Sequence, residues 1–305
     1  MKAITSTERG NALLVGILIL AVVIAGAIYV YTTALTPDPT EPAAVAEPAA
    51  EEADDMTTTV TSEADSEAAL ETTTRPVTVT PIAHATMVLD WTGTVMYVDP
   101  VGGAEAFAGQ PAPDVILLTD SDRDHLSVDT LSAIATEATV IIAPQAVIDE
   151  LPADLITQTR LMNNGDEETI GVFTLTAVPM YNLPEQGVEL RHVKGRGNGY
   201  VIDDGSYRVY IAGDTADVPE LRSQTDIDLA FVPMNPPYTM SIERAADGVL
   251  AFQPAVVIPY HYRTPEGFSD VRAFRSLVMS ADPDIEVELL DWYPDTEEDL
   301  TPEAI

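Results

Sequence analysis

Apolar strands that end abruptly in aspartate or histidine constrain the fold of this chain most strongly. The apolar run at residues 115–118 predicts a buried strand, and it breaks at once into the polar segment TDSDRDH. The candidate ligands in that segment are Asp120, Asp122, Asp124 and His125. Carboxylates and an imidazole that converge on a short loop at a strand end suit a divalent cation. An acidic surface turn is the alternative interpretation, because the whole chain is rich in acid.

The same arrangement recurs farther along the chain. In YIAGDT an apolar strand and a glycine precede Asp214, and in VPMYN a strand ends in Tyr181 and Asn182. The four histidines all lie near strand ends or in adjoining loops: His84, His125, His192 and His261. Each histidine alone is more often a structural or surface residue. Their shared placement, however, favours a common functional site.

The order of the predicted elements indicates an α/β fold. Three strands come first, at residues 77–80, 86–91 and 95–98, and strands then alternate with helices. Helices are expected at residues 128–135, 144–151, 241–252, where Ser241 is the N-cap, and 269–280; a last strand is expected at 285–290. A block of strands that passes into alternating strands and helices is typical of a layered α/β domain.

Composition excludes several classes of function. The chain has no cysteine, so disulfides and thiolate zinc sites are excluded. Its 50 acidic and 14 basic residues give a net charge of −36, which repels nucleic acid. A surface of this charge is typical of proteins that stay soluble at high salt, where screening weakens self-repulsion.

The amino-terminal quarter predicts a membrane anchor. After a short polar segment, residues 1–10, the segment 11–33 contains an unbroken apolar run of 20 residues at 12–31. Such a run reaches about 30 Å as a helix, the thickness of a bilayer core. Basic residues precede it, so we expect the amino terminus in the cytoplasm and the rest of this single-pass protein outside the cell membrane. A cleaved signal peptide is the alternative. The acidic Pro/Ala/Thr/Glu-rich stretch 34–75 predicts a disordered linker.

The motifs resemble those of the metallo-β-lactamase superfamily. TDSDRDHLS, followed by AGDT and PYHY, is similar to its H-x-H-x-D-H motif, later aspartate and final histidine. The opening PIAHATMVLDWTGTVMYVDPV is similar to the branch that includes L-ascorbate-6-phosphate lactonase. The resemblance implies a four-layer αββα sandwich with a site along one edge of its two sheets. It places this domain at residues 76–297, before an acidic tail at 298–305.

The resemblance also assigns expected positions to individual residues. Asp120 and Asp122 stand where the family has its first two histidines, and the usual third histidine falls near Asn182. We expect His192 to supply that ligand from the next loop. The remaining matches are Asp124 and His125 to the D-H pair, Asp214 to the aspartate that bridges two metals, and His261 to the last histidine. Asp99 matches an aspartate that orients a ligand, and His84 a non-ligand position near the pocket.

The expected function is that of a membrane-anchored metal-dependent hydrolase. One or two divalent ions, zinc or manganese, would bind a hydroxide that attacks an ester, lactone or phosphoester of a small-molecule substrate. Asp124 would position this nucleophile, and His192 or Tyr181 would contact substrate or leaving group. The alternative is a binding module that kept the fold and lost catalysis, because two usual histidine ligands are aspartates. The sequence leaves the oligomeric state open.

Overall fold

Two large β-sheets form the centre of the domain. The computed structural model describes residues 75–183 and 190–294. The first sheet has six strands in sequential order. They are β1 Val77–Ala83, β2 Thr86–Trp91, β3 Thr94–Val98, β4 Val115–Leu117, β5 Val140–Ala143 and β6 Thr159–Leu161. β1 to β3 pair antiparallel, whereas β3 to β6 run parallel. The carboxyl ends of β3 and β4 therefore lie side by side.

The second sheet has seven strands in the order β15-β12-β11-β10-β9-β8-β7. They are β7 Glu167–Ile170, β8 Phe173–Met180, β9 Gly197–Asp203, β10 Arg208–Ile211, β11 Leu229–Pro233, β12 Val256–Tyr260 and β15 Glu286–Val287. β13 Arg263–Thr264 and β14 Gly267–Phe268 form a separate ribbon. β10, β11 and β12 are parallel, so residues that follow β10 and β12 emerge at the same edge. Ligand sites of α/β sheets form at such carboxyl edges.

Helices cover the outer face of each sheet. The helices are α1 Val128–Ile134, α2 Gln145–Ile148, α3 Ala153–Ile156, α4 Pro219–Arg222, α5 Ile242–Phe252 and α6 Val271–Ala281, with a short 3-10 helix at Ala104–Phe107. Side chains of α1 to α3 join an outer core with alternate residues of the first sheet, such as Tyr97 and Ile116. Side chains of α5 and α6 pack with the second sheet in the main core. The predicted αββα layering is confirmed.

The main core joins the inner faces of the two sheets. Trp91 at the end of β2 is fully buried and contacts the rings of Phe173 and Tyr207 edge-on, with centroids 5.1 and 5.8 Å away. Its indole N–H donates to Asp204 at 2.9 Å, which satisfies the buried polar group. Edge-to-face pairs of this kind contribute about 0.5–1.5 kcal/mol each beyond area burial. These contacts link the first sheet to the second away from the polar edge.

Several boundaries differ from the sequence expectations for local reasons. α6 begins at Val271 rather than at residue 269, because the Asp270 side chain accepts hydrogen bonds from the backbone N–H groups of Arg272 and Ala273. The last strand, expected at 285–290, is only Glu286–Val287. Ser241 caps α5 as predicted, and its side chain accepts from the N–H of Arg244.

The expected anchor, most of the linker and the acidic tail lie outside the described residues. Those segments are 1–10, 11–33, 34–74 and 298–305. Within the two described ranges, no helix combines the length and the apolar character needed to cross a membrane. The anchor at 11–33 therefore stays a prediction.

Candidate metal centre

Three strand ends deliver buried ligands to one point. His125 comes from the loop after β4, Asp214 from the turn after β10, and His261 from the residue after β12. Nε2 of His125 lies 3.3 Å from Oδ2 of Asp214, and Nε2 of His261 lies 3.3 Å from Oδ1 of the same carboxylate. The two Nε2 atoms are 3.2 Å apart. We call these three residues the histidine cluster, and Asp124 lies beside it.

Asp124 connects the histidine cluster to His84. Its Oδ2 lies 3.5 Å from Nε2 of His261 and 3.1 Å from Nε2 of His84. Burial lowers the pKa of His84 to about 4, so this ring is neutral near pH 7. The Tyr293 hydroxyl lies 2.7 Å from Nδ1 of His84, which leaves the Nε2 proton to be donated to Asp124. His84 was expected near the pocket as a non-ligand, but its geometry also groups it with Asp124 and His261 as a candidate ligand set.

The histidine cluster fits a divalent cation by its donor chemistry. Nδ1 of His125 is 2.8 Å from Oδ2 of Asp99 and donates its proton there, which turns the Nε2 lone pair toward His261. Two imidazole nitrogens that face each other at 3.2 Å repel unless a proton or a cation lies between them. Within the described chain, Oδ1 of Asp214 is a buried oxygen without a hydrogen-bond donor. Imidazole nitrogens and carboxylates are the ligands of zinc and manganese sites.

Charge at these ligands is set by their mutual contacts. Burial alone raises the pKa of Asp214, but the neighbouring His261 and His125 hold it well below its usual range. Burial alone lowers the pKa of His125, yet the carboxylates of Asp214 and Asp99 raise it well above 6.5. A proton on His125 therefore competes with a cation for Nε2.

Asp99 accepts from Nδ1 of His125, which fits the orienting position that the family resemblance implied for it. The carboxylate is fully buried and accepts from the backbone N–H of Thr119 at 2.7 Å and from its hydroxyl at 2.6 Å, besides His125. Six non-glycine residues of the described chain have positive φ, and three belong to this centre: His84 at 58°, Asp99 at 43° and His261 at 49°. Backbone conformations of this kind cluster at functional sites, where the surrounding structure holds them.

His192 comes from a loop on the far side of Asp214. Its Nε2 lies 3.3 Å from Oδ2 of Asp122 and 3.4 Å from Oδ2 of Asp214. Nδ1 of His192 donates to Oδ1 of Asn182 at 2.8 Å, which fixes the ring. Asn182 stands where the family has its third histidine, and here its side chain fixes His192, the residue that was expected to supply that ligand. The Asp214 carboxylate therefore contacts His192 as well as His125 and His261.

Asp120, Asp122 and His192 form a second group, which we call the aspartate cluster. The Asp120 side chain is 0% exposed, and burial raises its pKa. The hydrogen bond from His192, helped by Arg196, lowers the pKa of Asp122. Nη2 of Arg196 lies 2.8 Å from Oδ1 of Asp120 and also contacts Oδ1 of Asp122. Sequence reasoning missed Arg196; the only signal was a cation between the glycines of KGRGNGY.

The cavity beside the clusters corrects the role expected for Tyr181. The Tyr181 hydroxyl donates to Oε2 of Glu220 at 2.8 Å, and the Lys194 ammonium lies 4.9 Å from its ring centroid. The side chain is thereby held away from the cavity by an ion pair between Lys194 and Glu220. The cavity has a volume of about 370 Å³ and is lined by Asp122, Arg123, Asp124, Arg191, His192, Asp214, Asn235 and Tyr238. Tyr238, in contrast, lines this cavity.

Known proteins share both the sequence and the fold. The beta-lactamase superfamily domain matches residues 78–261. A UPF0173 metal-dependent hydrolase from Lysinibacillus sphaericus is 26% identical over 212 residues, which cover 66% of this chain and 92% of the relative. One from Enterococcus faecalis is 30% identical over 182 residues, which cover 56% of this chain and 80% of the relative.

Solved structures agree with this match. A protein from Parabacteroides distasonis classed as a metal-dependent hydrolase is 34% identical, with a TM-score of 0.62 over 70% of this chain and 92% of that one. Igni18, a metallo hydrolase from Ignicoccus hospitalis, is 22% identical and shares the fold, with a TM-score of 0.59 over 70% of this chain and 95% of that one. The domain match spans more than half of the sequence. The chain belongs to the beta-lactamase superfamily.

Proposed function

We propose that this protein is a metal-dependent hydrolase that acts at the histidine cluster. The observation that carries the proposal is the approach of Nε2 of His125 to Nε2 of His261 at 3.2 Å, with both oxygens of Asp214 beside them. A divalent cation between these buried groups would satisfy both imidazole nitrogens and the Asp214 carboxylate at once, and it would displace the proton that otherwise lies between the two rings. The names of the sequence relatives, metal-dependent hydrolases, support the same reaction class.

Asp124 and His192 would have separate roles in the reaction. A divalent cation held by the cluster would lower the pKa of a bound water and polarise the scissile group. Burial opposes ionisation of Asp124, but hydrogen bonds from His261 and His84 hold the pKa of its carboxyl below the usual range. Asp124 lines the cavity as a carboxylate and would accept a hydrogen bond from a water molecule there, which would orient that water toward the substrate. His192, held by Asn182, lines the same cavity and contacts the substrate or leaving group.

The cavity's rim favours a substrate with negative charge. Arg123 and Arg191 both line it, in a chain with only 14 basic residues among 305. The Arg191 guanidinium lies 5.5 Å from the ring centroid of Tyr238, which holds it at the rim. Guanidinium groups recognise carboxylates and phosphates by paired hydrogen bonds. We therefore propose an ester, lactone or phosphoester that carries a carboxylate or phosphate beside the scissile bond.

Hydrolysis assays on matched substrates test this proposal. The full-length chain, purified in detergent, stripped with a chelator and reloaded with zinc or manganese, should hydrolyse anionic members of a lactone, ester and phosphodiester panel faster than neutral ones. Arg191→Gln should lower kcat/KM for the anionic members about 10–100-fold, since hydrogen bonds to charged groups contribute about 1.5–3 kcal/mol. Arg275→Gln, at a half-buried position of α6, makes the same charge change away from the cavity and should have little effect. Equal rates for anionic and neutral substrates would contradict the substrate assignment.

A binding module without catalysis is the second candidate. The aspartates at positions 120 and 122, where the resemblance places histidines, favour it, as does the cation Arg196 between them. A protein that takes up metal and binds an anionic ligand tightly, but hydrolyses no member of the panel, would favour this candidate over the hydrolase.

The anchor completes the proposal. We propose that the apolar run at 12–31 holds the protein in the cell membrane with the domain outside, because basic residues precede the run and acidic residues follow it. Protease added to whole cells should remove the domain and leave a membrane-bound stub. A domain protected in intact cells would contradict the orientation, and a soluble mature form would contradict the anchor.

A further inference from the structure

The aspartate cluster already contains a fixed positive charge. One guanidinium nitrogen of Arg196, Nη2, contacts both Oδ1 of Asp120 and Oδ1 of Asp122. The other terminal nitrogen, Nη1, donates to the backbone oxygen of Arg191 at 3.0 Å. The guanidinium therefore spans the gap between the two carboxylates. A metal ion that bound both would need to lie in the same gap.

The backbone around Arg196 is fixed beside the first sheet. The N–H of Asn198 donates to the backbone oxygen of Thr119 at 2.9 Å, one residue before Asp120. A Cβ on Gly197 would lie 2.7 Å from that same oxygen, so only glycine allows this approach. Asn164 also donates to the backbone oxygen of Gly197 at 2.8 Å. Close packing of the start of β9 against the end of β4 thus delivers Arg196 to Asp120.

Electrostatics favours the arginine over an ion at this position. A carboxylate as buried as Asp120 needs a counter-charge, and Arg196 supplies it at Oδ1, whereas Oδ2 has no hydrogen-bond partner within the described residues. The guanidinium stays charged at any ordinary pH and is less strongly hydrated than an ammonium, so it is suited to a buried ion pair. Asp122 receives bonds from both His192 and Arg196, which leaves the aspartate cluster with its own cation.

We propose that Arg196 takes the place of one metal ion, so that the centre holds a single divalent cation at the histidine cluster. The inference rests on the proposed function and deepens it. Asp120 and Asp122 are then partners of Arg196 instead of metal ligands. His192 lies between Asp122, which is a partner of Arg196, and Asp214.

Metal stoichiometry tests the inference directly. The full-length chain, loaded with zinc or with manganese and dialysed, should retain one ion per chain. Arg196→Met removes the cation and exposes Asp120, Asp122 and His192 as ligands, so the stoichiometry should rise from one to two. Arg196→Lys keeps a charge of the same sign and should stay at one. With manganese, electron paramagnetic resonance should show an isolated ion in the parent and a coupled pair in Arg196→Met.

Asp120→Asn decides the matter even if Arg196→Met does not fold. Under the inference it leaves the parent's single ion in place, because Asp120 is not a ligand. Three results would overturn the inference but not the hydrolase: two ions in the parent, a fall from two ions to one in Asp120→Asn, or a folded Arg196→Met that still binds one ion. A parent that binds no zinc or manganese would overturn the proposed function as well.

Discussion

His125→Ala and His261→Ala should each abolish retention of a divalent cation. Each substitution removes one of three buried candidate ligands, whose atoms lie 3.2–3.3 Å from one another. Loss of a residue that only orients a ligand costs about 10–100-fold in metal affinity, and loss of a ligand should exceed that range. The measurement is metal content after dialysis, together with titration of the stripped protein.

His84→Ala is the matched control for these two variants. His84 is also a buried imidazole beside His261, with ring centroids 3.8 Å apart, but it belongs to the set with Asp124 instead of the set with Asp214. If the ion lies at the histidine cluster, His84→Ala should retain it with reduced affinity. If His84→Ala loses the ion while His125→Ala keeps it, the ion lies between His84, Asp124 and His261, and our assignment is wrong.

Asp99→Ala should lower both stability and metal affinity. The substitution removes the acceptor for the backbone N–H and hydroxyl of Thr119 and the partner of Nδ1 of His125, all of them buried. Breaking a buried pair of this kind costs about 3–5 kcal/mol in the free energy of unfolding. Metal affinity should fall about 10–100-fold, because His125 loses the group that orients it. Denaturant unfolding and metal titration measure the two effects.

Two variants separate charge from packing in this prediction. Asp99→Asn keeps the shape and an acceptor oxygen for Thr119, so it should recover much of the stability but little of the metal affinity. Asp90→Ala removes an exposed aspartate that accepts from the N–H of Gly93 and should cost less than about 1 kcal/mol. An Asp99→Ala protein that folds and binds metal as tightly as the parent would show that Asp99 does not position His125.

Much of the site could be predicted because strand ends are local features. A buried run that stops at a polar residue fixes where that residue emerges, which placed Asp99, His125, Asp214 and His261 at one edge of the sheets. The expectation that His192 takes the place of the third histidine came instead from the family resemblance. The structure places His192 beside Asp122 and Asp214, and its role as a ligand stays a prediction.

Contacts between distant segments could not be predicted in this way. Arg196 reaches Asp122 across 74 residues, and its position depends on how closely β9 packs against β4. Tyr181 is turned away by Glu220, 39 residues later. β6 was missed because its residues, Thr159–Leu161, have no strong apolar pattern and are strand only through their pairing with β5. Tertiary pairing decided each of these features.

A crystal structure with anomalous scattering from zinc or manganese tests the central claim most directly. The parent chain should show one anomalous peak, within about 2.0–2.3 Å of Nε2 of His125, Nε2 of His261 and an oxygen of Asp214. Arg196 should still lie between Asp120 and Asp122 in that structure. A peak between Asp120 and Asp122, or no peak at the histidine cluster in a fully loaded protein, would contradict the account.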